Sequence, residues 1–341
     1  MNLKNGLYFI AEIGVNHEGN YNLAKKIILE AKKSGANAIK LQSYKAEKIA
    51  SKYATSYWDR QEEIENNQLK LFKKFDGLNY EDYNKLIELC RNIKIDFIVT
   101  PFDTESVVFF KEKVKFFKIS SSDITNYLLL EKISKTKKKI ILSTGASTFD
   151  EINDALKIFK SYPKENIKLL HCILNYPTKR YNANLNMIDH LKKLGYEVGI
   201  SDHTKPKDSH NVLLYAYAKG ARIIEKHFTY NKSKKGNDHY HSFDWRDLKK
   251  FKKNITDLNY ILGRSLKTFI KSELPSRHHA RRSLFYIKNL SKHSKLSKRD
   301  LISLRPATGI PPKNYNQIIG KRLKYNVEEG QIVKMKDFIR N

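Results

Sequence analysis

A chain of 341 residues fits one large domain with or without a small companion, because single cores stop growing at roughly 250–300 residues. Its 40% of apolar residues excludes wholesale disorder. No apolar run approaches the ~18–20 residues of a membrane span, and no secretory signal is recognisable, so no membrane partner is expected. Two cysteines, Cys90 and Cys172, are too few for a disulfide scaffold. These features predict a cytoplasmic protein.

The charge balance needs an explanation. Lys plus Arg exceeds Asp plus Glu by 65 to 36, a formal net charge of +29. Most of the basic residues are lysines scattered in pairs and triplets, whereas phosphate recognition favours forked arginine contacts in a localised patch. We interpret the excess as lysine on solvated faces, with attraction of small anionic substrates as an alternative. A nucleic-acid partner is not expected.

Up to about residue 265, eight short β-branched or aromatic runs alternate with stretches of helical spacing. Eight consecutive βα units predict an α/β fold, a closed (β/α)8 TIM barrel, rather than an open doubly wound sheet. The predicted strands are 7–14, 37–43, 96–101, 116–121, 139–145, 167–172, 197–202 and 221–228. Helices are predicted to begin near Asn20, Tyr80, Thr104, Thr125, Thr148, Leu185, Ser209 and Trp245.

Three segments depart from this alternation. Residues 50–79 are longer than an ordinary connection and predict a lid or side excursion over the second strand. Residues 266–282 show little periodicity and are interpreted as a linker after a barrel domain of residues 1–265. Short runs at 283–287, 301–304 and 331–335 then predict a small β-rich domain of residues 283–341. About sixty residues give a weak core, so we expect this domain to dock on another surface.

Polar residues of catalytic type follow or end every predicted strand, where this fold builds its active sites. A phosphate or carboxylate cradle is predicted from Lys40, Lys118, Thr100, Ser121, Ser143 and Ser201. His203 and His227, on adjacent strands, suit a divalent metal with open positions. Glu12, Asp123 and Glu225 are placed to orient hydroxyls or move protons. Each residue alone has a structural explanation, as a salt-bridge partner or a core histidine. A purely structural explanation of all of them, however, would have to hold independently at eight strand ends.

These strand ends resemble the sialic-acid synthase family, enzymes that condense phosphoenolpyruvate with an N-acylated hexose to make nonulosonic acids. The matching strings in the barrel are AEIGVNHEG (11–19), KLQ (40–42), TPF (100–102), KISS (118–121), LSTG (142–145), HC (171–172), YP (176–177), SDHT (201–204) and EKHFT (225–229). In the tail, RPATG (305–309) is similar to the family's antifreeze-like (SAF, β-clip) domain. The resemblance covers nearly the whole chain in the family's order.

The resemblance implies a transferase of cell-surface polysaccharide biosynthesis that uses Mn²⁺ or Mg²⁺. It also implies a domain-swapped homodimer, in which the small domain of one chain caps the barrel of its partner. By position, the metal ligands are His203 and His227, and the phosphoenolpyruvate contacts are Lys40, Thr100, Lys118, Ser121, Ser143 and Ser201. The positions around the sugar and the reaction centre are Glu12, Gln42, Tyr176, Glu225 and Asp238, with Arg305 delivered by the partner.

Three departures from the family pattern lie near the expected sugar or phosphate contacts. Asp123 replaces a glutamate of the sialic-acid branch, and Leu174 replaces an asparagine, for which the adjacent Asn175 is the substitute. Asn237 interrupts the familiar Gly-Pro-Asp. The reaction type stands, with N-acetylmannosamine as the expected acceptor and a legionaminic or pseudaminic acid synthase as the alternative. A catalytically inactive basic binding protein on the same scaffold is the alternative from another class.

Overall fold

The protein is described from a computed structural model, which covers residues 6–234, 236 and 238–339. The chain divides into two compact units, Met1–Leu262 and Gly263–Asn341. Among the described residues, no helix combines the length and apolar character that a bilayer crossing requires. Asn237, one of the departures from the family pattern, lies outside the described residues.

The first unit is a closed barrel of eight parallel strands in sequential order, which confirms the predicted fold class. The strands are β1 (Tyr8–Gly14), β2 (Ala38–Ser43), β3 (Asp96–Pro101), β4 (Phe116–Ile119), β5 (Lys139–Ser143), β6 (Ile167–Cys172), β7 (Glu197–Asp202) and β8 (Ile223–His227). β8 pairs with β1, so the sheet has no free edge. Three of the predicted strands, 96–101, 167–172 and 197–202, have the predicted bounds.

The helices of this unit follow the strands. They are α1 (Tyr21–Lys33), α2 (Ala46–Ile49), α3 (Gln68–Lys73), α4 (Tyr80–Asn92), α5 (Thr104–Phe110), α6 (Tyr127–Ser134), α7 (Phe149–Ile158), α8 (Met187–Lys192), α9 (Pro206–Ala218) and α10 (Trp245–Leu262). Capping boxes begin α4 at Asn79 and α7 at Thr148, which satisfies backbone N–H groups that have no partner inside the helix. The segment 50–79 contains α3 and an isolated antiparallel bridge between Thr55 and Asn67, and otherwise consists of turns and irregular chain.

The barrel interior is layered because alternate residues of each strand point inward. Near the amino ends of the strands, the inward residues form an apolar cluster of Tyr8, Ile10, Ala38, Ile98, Phe116, Ile141, Leu170 and Ile223. Two residues further along the same strands, the side chains become polar: Ile10 is followed by Glu12, Ala38 by Lys40 and Ile223 by Glu225. The apolar layer therefore forms the floor on which the polar groups rest.

The second unit carries α11 (Leu274–His279) and a two-stranded antiparallel sheet of β9 (Ser283–Tyr286) and β10 (Leu301–Leu304). Its apolar core includes Tyr286, Ile318, Leu323 and Val333. The third predicted strand, 331–335, supplies an isolated bridge from Ile332 to Phe285 and then a 3-10 turn. Part of the segment interpreted as a linker forms α11.

Candidate active site

A polar cavity lies at the carboxyl ends of the barrel strands; we refer to it as the inner cavity. The register of the parallel strands brings its groups together, because Glu12 pairs with both Lys40 and His227, and Ser201 pairs with Glu225. Its lining is Glu12, Lys40, Gln42, Thr100, Phe102, Lys118, Ser120, Ser121, Ser143, Cys172, Tyr176, Ser201, His203, Glu225 and His227. Twelve of the predicted site residues therefore share one cavity.

Two buried lysines face two buried carboxylates inside this cavity. The Lys40 Nζ lies 3.0 Å from Glu12 Oε2 and 3.6 Å from Glu225 Oε2, and it donates a 3.2 Å hydrogen bond to Thr100 Oγ1. The Lys118 Nζ lies 3.4 Å from Glu225 Oε1. Since both lysines are almost fully buried, these charges interact with little screening by water.

The electrostatic environment treats the two lysines differently. Burial lowers the pKa of Lys118, and the single carboxylate of Glu225 opposes this only in part. Burial also lowers the pKa of Lys40, but Glu12 and Glu225 together reverse that effect and raise it. For Glu225 itself, burial would raise the pKa, yet Lys118, Lys40 and the hydrogen bond from Ser201 outweigh burial and lower it. The cavity thus holds the Glu225 carboxylate in its ionised form, close to both lysines.

Hydroxyl groups complete the wall of the inner cavity. Ser201 Oγ donates a 2.8 Å hydrogen bond to Glu225 Oε1, whereas the buried Ser143 Oγ has no hydrogen-bond partner among the described residues. Gly145 follows β5, and a Cβ at this position would lie 3.1 Å from both Ser121 Oγ and Cys172 Sγ. A side chain at residue 145 would therefore crowd the hydroxyl side of the cavity.

Three histidines, His203, His227 and His241, lie close together at the edge of the inner cavity, which is called the rim below. The His203 Nδ1 is 2.9 Å from the Ile173 carbonyl oxygen, which assigns the proton to Nδ1 and leaves the unprotonated Nε2 with a lone pair for a metal ion. Burial and the neighbouring His227 lower the pKa of His203 to about 3, so its ring is neutral at neutral pH. The rings of His203 and His227 are 5.4 Å apart, and those of His227 and His241 are 4.7 Å apart.

A group suited to a divalent ion is present here, although its members differ from the predicted pair. Donor atoms of His227, Asp238 and His241 all lie within 4.8 Å of one another. His227 Nδ1 lies 3.1 Å from Asp238 Oδ2, whereas the two nitrogens of the buried His241 have no hydrogen-bond partner among the described residues. Unpartnered imidazole nitrogens beside a carboxylate are the donors that a first-row divalent ion takes up, so these residues fit a metal. The sequence pattern missed His241.

A second, larger cavity adjoins the first and is called the outer cavity below. Gln42, Tyr176 and His227 line both cavities. The outer cavity has an empty volume of about 630 Å³ and is otherwise lined by Val15, Tyr57, Trp58, Glu63, Leu71, Phe72, Phe75, Asp238 and Tyr240. Most of these residues belong to the segment 50–79, so the excursion predicted over the second strand contributes an aromatic wall.

The outer wall is held by a contact within the excursion and by a contact to Lys205 of the barrel unit. The Trp58 indole N–H donates a 3.0 Å hydrogen bond to the Glu65 carbonyl oxygen, and Lys205, after β7, lies 2.9 Å from Glu62. Gly14 adopts φ +55°, and a Cβ there would lie 3.2 Å from both Glu12 Oε1 and Asp238 Oδ2. Only a glycine adopts this conformation without strain, and it allows the two carboxylates to approach the strand end.

Three predicted site residues lie outside both cavities. Asp123, in a 3-10 turn after β4, accepts a 2.9 Å hydrogen bond from Asn126, and burial raises its pKa. Asn175 is exposed, and its carbonyl oxygen accepts a hydrogen bond from Thr178. Arg305 lies in the second unit, exposed and without a hydrogen bond or ion pair to any described residue. These three roles remain predictions.

The sequence pattern also missed a buried ion pair behind the site. The Lys226 Nζ lies 2.8 Å from Asp202 Oδ2, and both side chains are almost fully buried. Ser209 and Thr204 donate further hydrogen bonds to the same carboxylate. Each member directly precedes a histidine of the site, His203 or His227, so the pair joins the ends of β7 and β8. The sequence contained a signal for this pair. Because side chains of a strand alternate, Asp202 and Lys226 must face the opposite side of the sheet from the adjacent histidines, where two opposite charges can meet.

Comparison with known proteins agrees with this architecture. Residues 27–267 match the NeuB family, and residues 281–339 match the SAF domain. The chain belongs to the NeuB family. It is 38% identical over 331 residues to the N,N'-diacetyllegionaminic acid synthase of Campylobacter jejuni, covering 95% of this chain and 98% of that protein. These matches confirm the resemblance to sialic-acid synthases and the SAF domain.

Other NeuB family relatives extend the comparison. The pseudaminic acid synthase of Campylobacter jejuni is 32% identical over 342 residues, covering 97% of this chain and 96% of that protein. The solved structure of the N-acetylneuraminic acid synthetase of Leptospira borgpetersenii, in complex with citrate, superposes with a TM-score of 0.69 at 34% identity, covering 80% of this chain and 90% of that chain. The NeuB family thus includes synthases of several nonulosonic acids.

Proposed function

We propose that this protein condenses phosphoenolpyruvate with an N-acylated hexose to form a nonulosonic acid, with release of phosphate. Carbon 3 of phosphoenolpyruvate bonds to the aldehyde carbon of the open-chain sugar, water adds at carbon 2, and the carbon–oxygen bond to phosphate breaks. The observation that carries the proposal is the inner cavity, where two buried lysines and several hydroxyls converge at the strand ends. This is the surrounding that a compact dianion or trianion requires.

In the inner cavity, the lysines and hydroxyls are proposed to bind the substrate, and the glutamates to position the lysines. Lys40, Lys118 and the unpartnered hydroxyl of Ser143 supply donors for the phosphate and carboxylate groups. Glu12 and Glu225 hold the ammonium groups in place in the free protein. Because these side chains lie on strands with a fixed register, they are oriented before the substrate arrives, and orientation of two reactants supplies several kcal/mol of rate acceleration.

Divalent-metal dependence follows from the histidine group at the rim, where His203, His227, Asp238 and His241 are the available protein ligands. An ion bound there would supply a Lewis acid for the aldehyde oxygen. Gln42 and Tyr176, like His227, line both cavities and so can contact both substrates. We propose Mn²⁺ or Mg²⁺ as the ion.

The lining of the outer cavity supports a diacetamido sugar as the acceptor in place of N-acetylmannosamine, the acceptor expected from the sequence. Its wall of Tyr57, Trp58, Phe72 and Phe75 is aromatic, and aromatic faces suit acetamido methyls and deoxy positions better than free hydroxyls. We therefore propose a 2,4-diacetamido-trideoxyhexose as the preferred acceptor, with N-acetylmannosamine as the weaker one. The 38% identity to a legionaminic acid synthase supports the same order.

The test is an assay of phosphate and 2-keto acid formation. The purified protein is incubated with phosphoenolpyruvate, Mn²⁺ and each of three acceptors, namely N-acetylmannosamine and the manno and altro isomers of 2,4-diacetamido-trideoxyhexose. We expect the largest kcat/KM with a diacetamido sugar. No product with any of the three would defeat the proposal and favour the basic binding protein, whose nucleic-acid affinity would then fall steeply with salt.

We also propose the domain-swapped dimer, in the cytoplasm, where buried unpaired cysteines remain reduced. The chain exposes a run of large apolar side chains, Tyr260, Ile261, Leu262, Leu266, Phe269, Ile270 and Leu274, which a partner subunit would cover. Arg305, exposed and unpaired among the described residues, would then reach the partner's acceptor.

Subunit exchange tests the swap. Arg305→Ala and Lys40→Ala are each expected to be inactive as homodimers. In a swapped heterodimer one site contains neither lesion, so an equimolar mixture should regain about a quarter of wild-type activity. A cis arrangement puts one lesion in every site and gives no rescue. Proven heterodimers without recovered turnover would reject the swap.

A further inference from the structure

The loop after β8 carries two histidines in one 3-10 turn, His239–His241, and they differ in their partners. The His239 Nδ1 is 2.7 Å from Thr229 Oγ1, and its Nε2 is 3.1 Å from Glu18 Oε1. His241 is fully buried, and neither of its nitrogens has a hydrogen-bond partner among the described residues. The turn is therefore anchored by hydrogen bonds of one histidine, whereas the nitrogens of the other make no hydrogen bond to a described residue.

The surroundings of His241 do not explain its burial. Its ring packs on the rings of His227, Tyr240 and Tyr176, at centroid distances of 4.7, 4.8 and 5.5 Å. The Asp238 Oδ1 lies 3.9 Å from its Nε2, which is too distant for a hydrogen bond. A buried polar group is usually hydrogen-bonded to protein or water, or bound to an ion. The donor atoms of His227 and Asp238 close to His241 favour an ion here.

We propose that His241 is a protein ligand of the divalent ion, together with His227 and Asp238. This rests on the proposed function only in that the site holds such an ion. The three donor atoms lie within 4.8 Å of one another, against at most about 4.2 Å for two ligands of one bound ion. Adjustments of a few tenths of an ångström in each side chain would close that gap.

The added imidazole has a consequence for metal choice. Two nitrogens and one carboxylate oxygen, with His203 beside them, form a donor set that favours Co²⁺ and Zn²⁺ over Mg²⁺, which prefers oxygen ligands and water. We therefore expect this protein to bind Co²⁺ much more tightly than Mg²⁺, and we expect His241 to account for part of the difference.

The experiment measures metal binding without turnover. Chelator-treated protein is titrated with Co²⁺ alone, and the dissociation constant is obtained by calorimetry and from the visible absorption of the bound ion. His241→Leu keeps the side-chain volume but offers no metal ligand, so we expect the Co²⁺ affinity to fall by more than about tenfold. The visible spectrum of the bound Co²⁺ should change, and the ratio of Co²⁺ affinity to Mg²⁺ affinity should decrease. The matched control is His190→Leu, an exposed histidine on α8 that should leave all three readouts unchanged.

The outcomes separate the two proposals. A wild-type protein that binds no Co²⁺ would reject the metal site itself. Wild-type binding that is unaltered in affinity and spectrum by His241→Leu would overturn the role of His241 and leave the proposed function intact. If His241→Leu fails to fold, as judged by circular dichroism, His241→Gln takes its place, and the same loss of affinity is required.

Discussion

The inner and outer cavities adjoin each other but are built on opposite principles. The inner cavity is lined by strand residues whose charges are paired inside the barrel, with Lys40 and Lys118 facing Glu12 and Glu225. The outer cavity is lined mainly by aromatic side chains of one long excursion, including Trp58 and Phe72. A register of parallel strands fixes the geometry of charge, whereas a loop can vary without disturbing the barrel. We infer that the first cavity determines the reaction and the second determines the acceptor.

The largest effect is expected from the ion pair that supports the inner cavity. Lys226→Met removes the cation facing the buried Asp202 and should reduce the free energy of unfolding by about 3–5 kcal/mol, because the carboxylate is left uncompensated. Urea denaturation measures this. The control is Lys168→Met, whose partly exposed pair with Glu197 should be worth about 0–1 kcal/mol. Equal losses in both variants would contradict the explanation.

The next effect concerns turnover. Lys118→Met should lower kcat/KM for phosphoenolpyruvate by about 10²–10³-fold, since one buried lysine of the proposed anion cradle is lost. Steady-state kinetics with saturating acceptor measures it. Lys115→Met, just before the same strand and largely exposed, should retain wild-type kinetics. A loss below about threefold in Lys118→Met would remove this lysine from the cradle.

A smaller and more selective effect is expected in the outer cavity. Trp58→Ala should raise the KM for the diacetamido acceptor by about 10–100-fold through lost apolar contact, while the KM for phosphoenolpyruvate stays unchanged. Tyr53→Ala, in the same excursion but 79% exposed, is the control. If Trp58→Ala raised the KM for both substrates equally, the assignment of the acceptor to the outer cavity would be wrong.

The last effect is a pH dependence of stability, which is the smallest per step because it accumulates gradually with pH. Burial lowers the pKa of His17 to about 4 from 6.5, so below pH 6.5 the unfolded chain binds a proton that the folded chain does not. Stability therefore rises with pH between about 4 and 6.5, by up to about 1.4 kcal/mol per pH unit for each such histidine. Burial lowers the pKa of His171 as well, which acts in the same direction.

Urea midpoints between pH about 5 and 7 measure this slope, above the range where carboxylates titrate in the unfolded chain. His17→Asn keeps an acceptor for the Gly19 N–H and should reduce the slope. A flat profile in the wild type would show that the buried histidines do not couple to folding.

By itself, the sequence determined the barrel and the strand-end residues. β-branched runs with polar ends alternate with helical spacing, and a parallel barrel must bring all those ends to one face. Twelve of the predicted site residues consequently line one cavity. The motif strings also determined the family, which the comparisons confirm.

Only the tertiary structure decided what lies beside those strand ends. Spacing in the chain cannot show that residues 50–79 fold back with an aromatic wall toward the rim, because such loops have no periodicity to interpret. It also cannot distinguish His239 from His241, two residues apart in one turn, since their difference is a matter of which partners surround each ring. Asp123 and Asn175 were placed by motif, but their distance from the cavity depends on where each loop leaves its strand. Burial and partners, which arise from packing between distant segments, determine these roles.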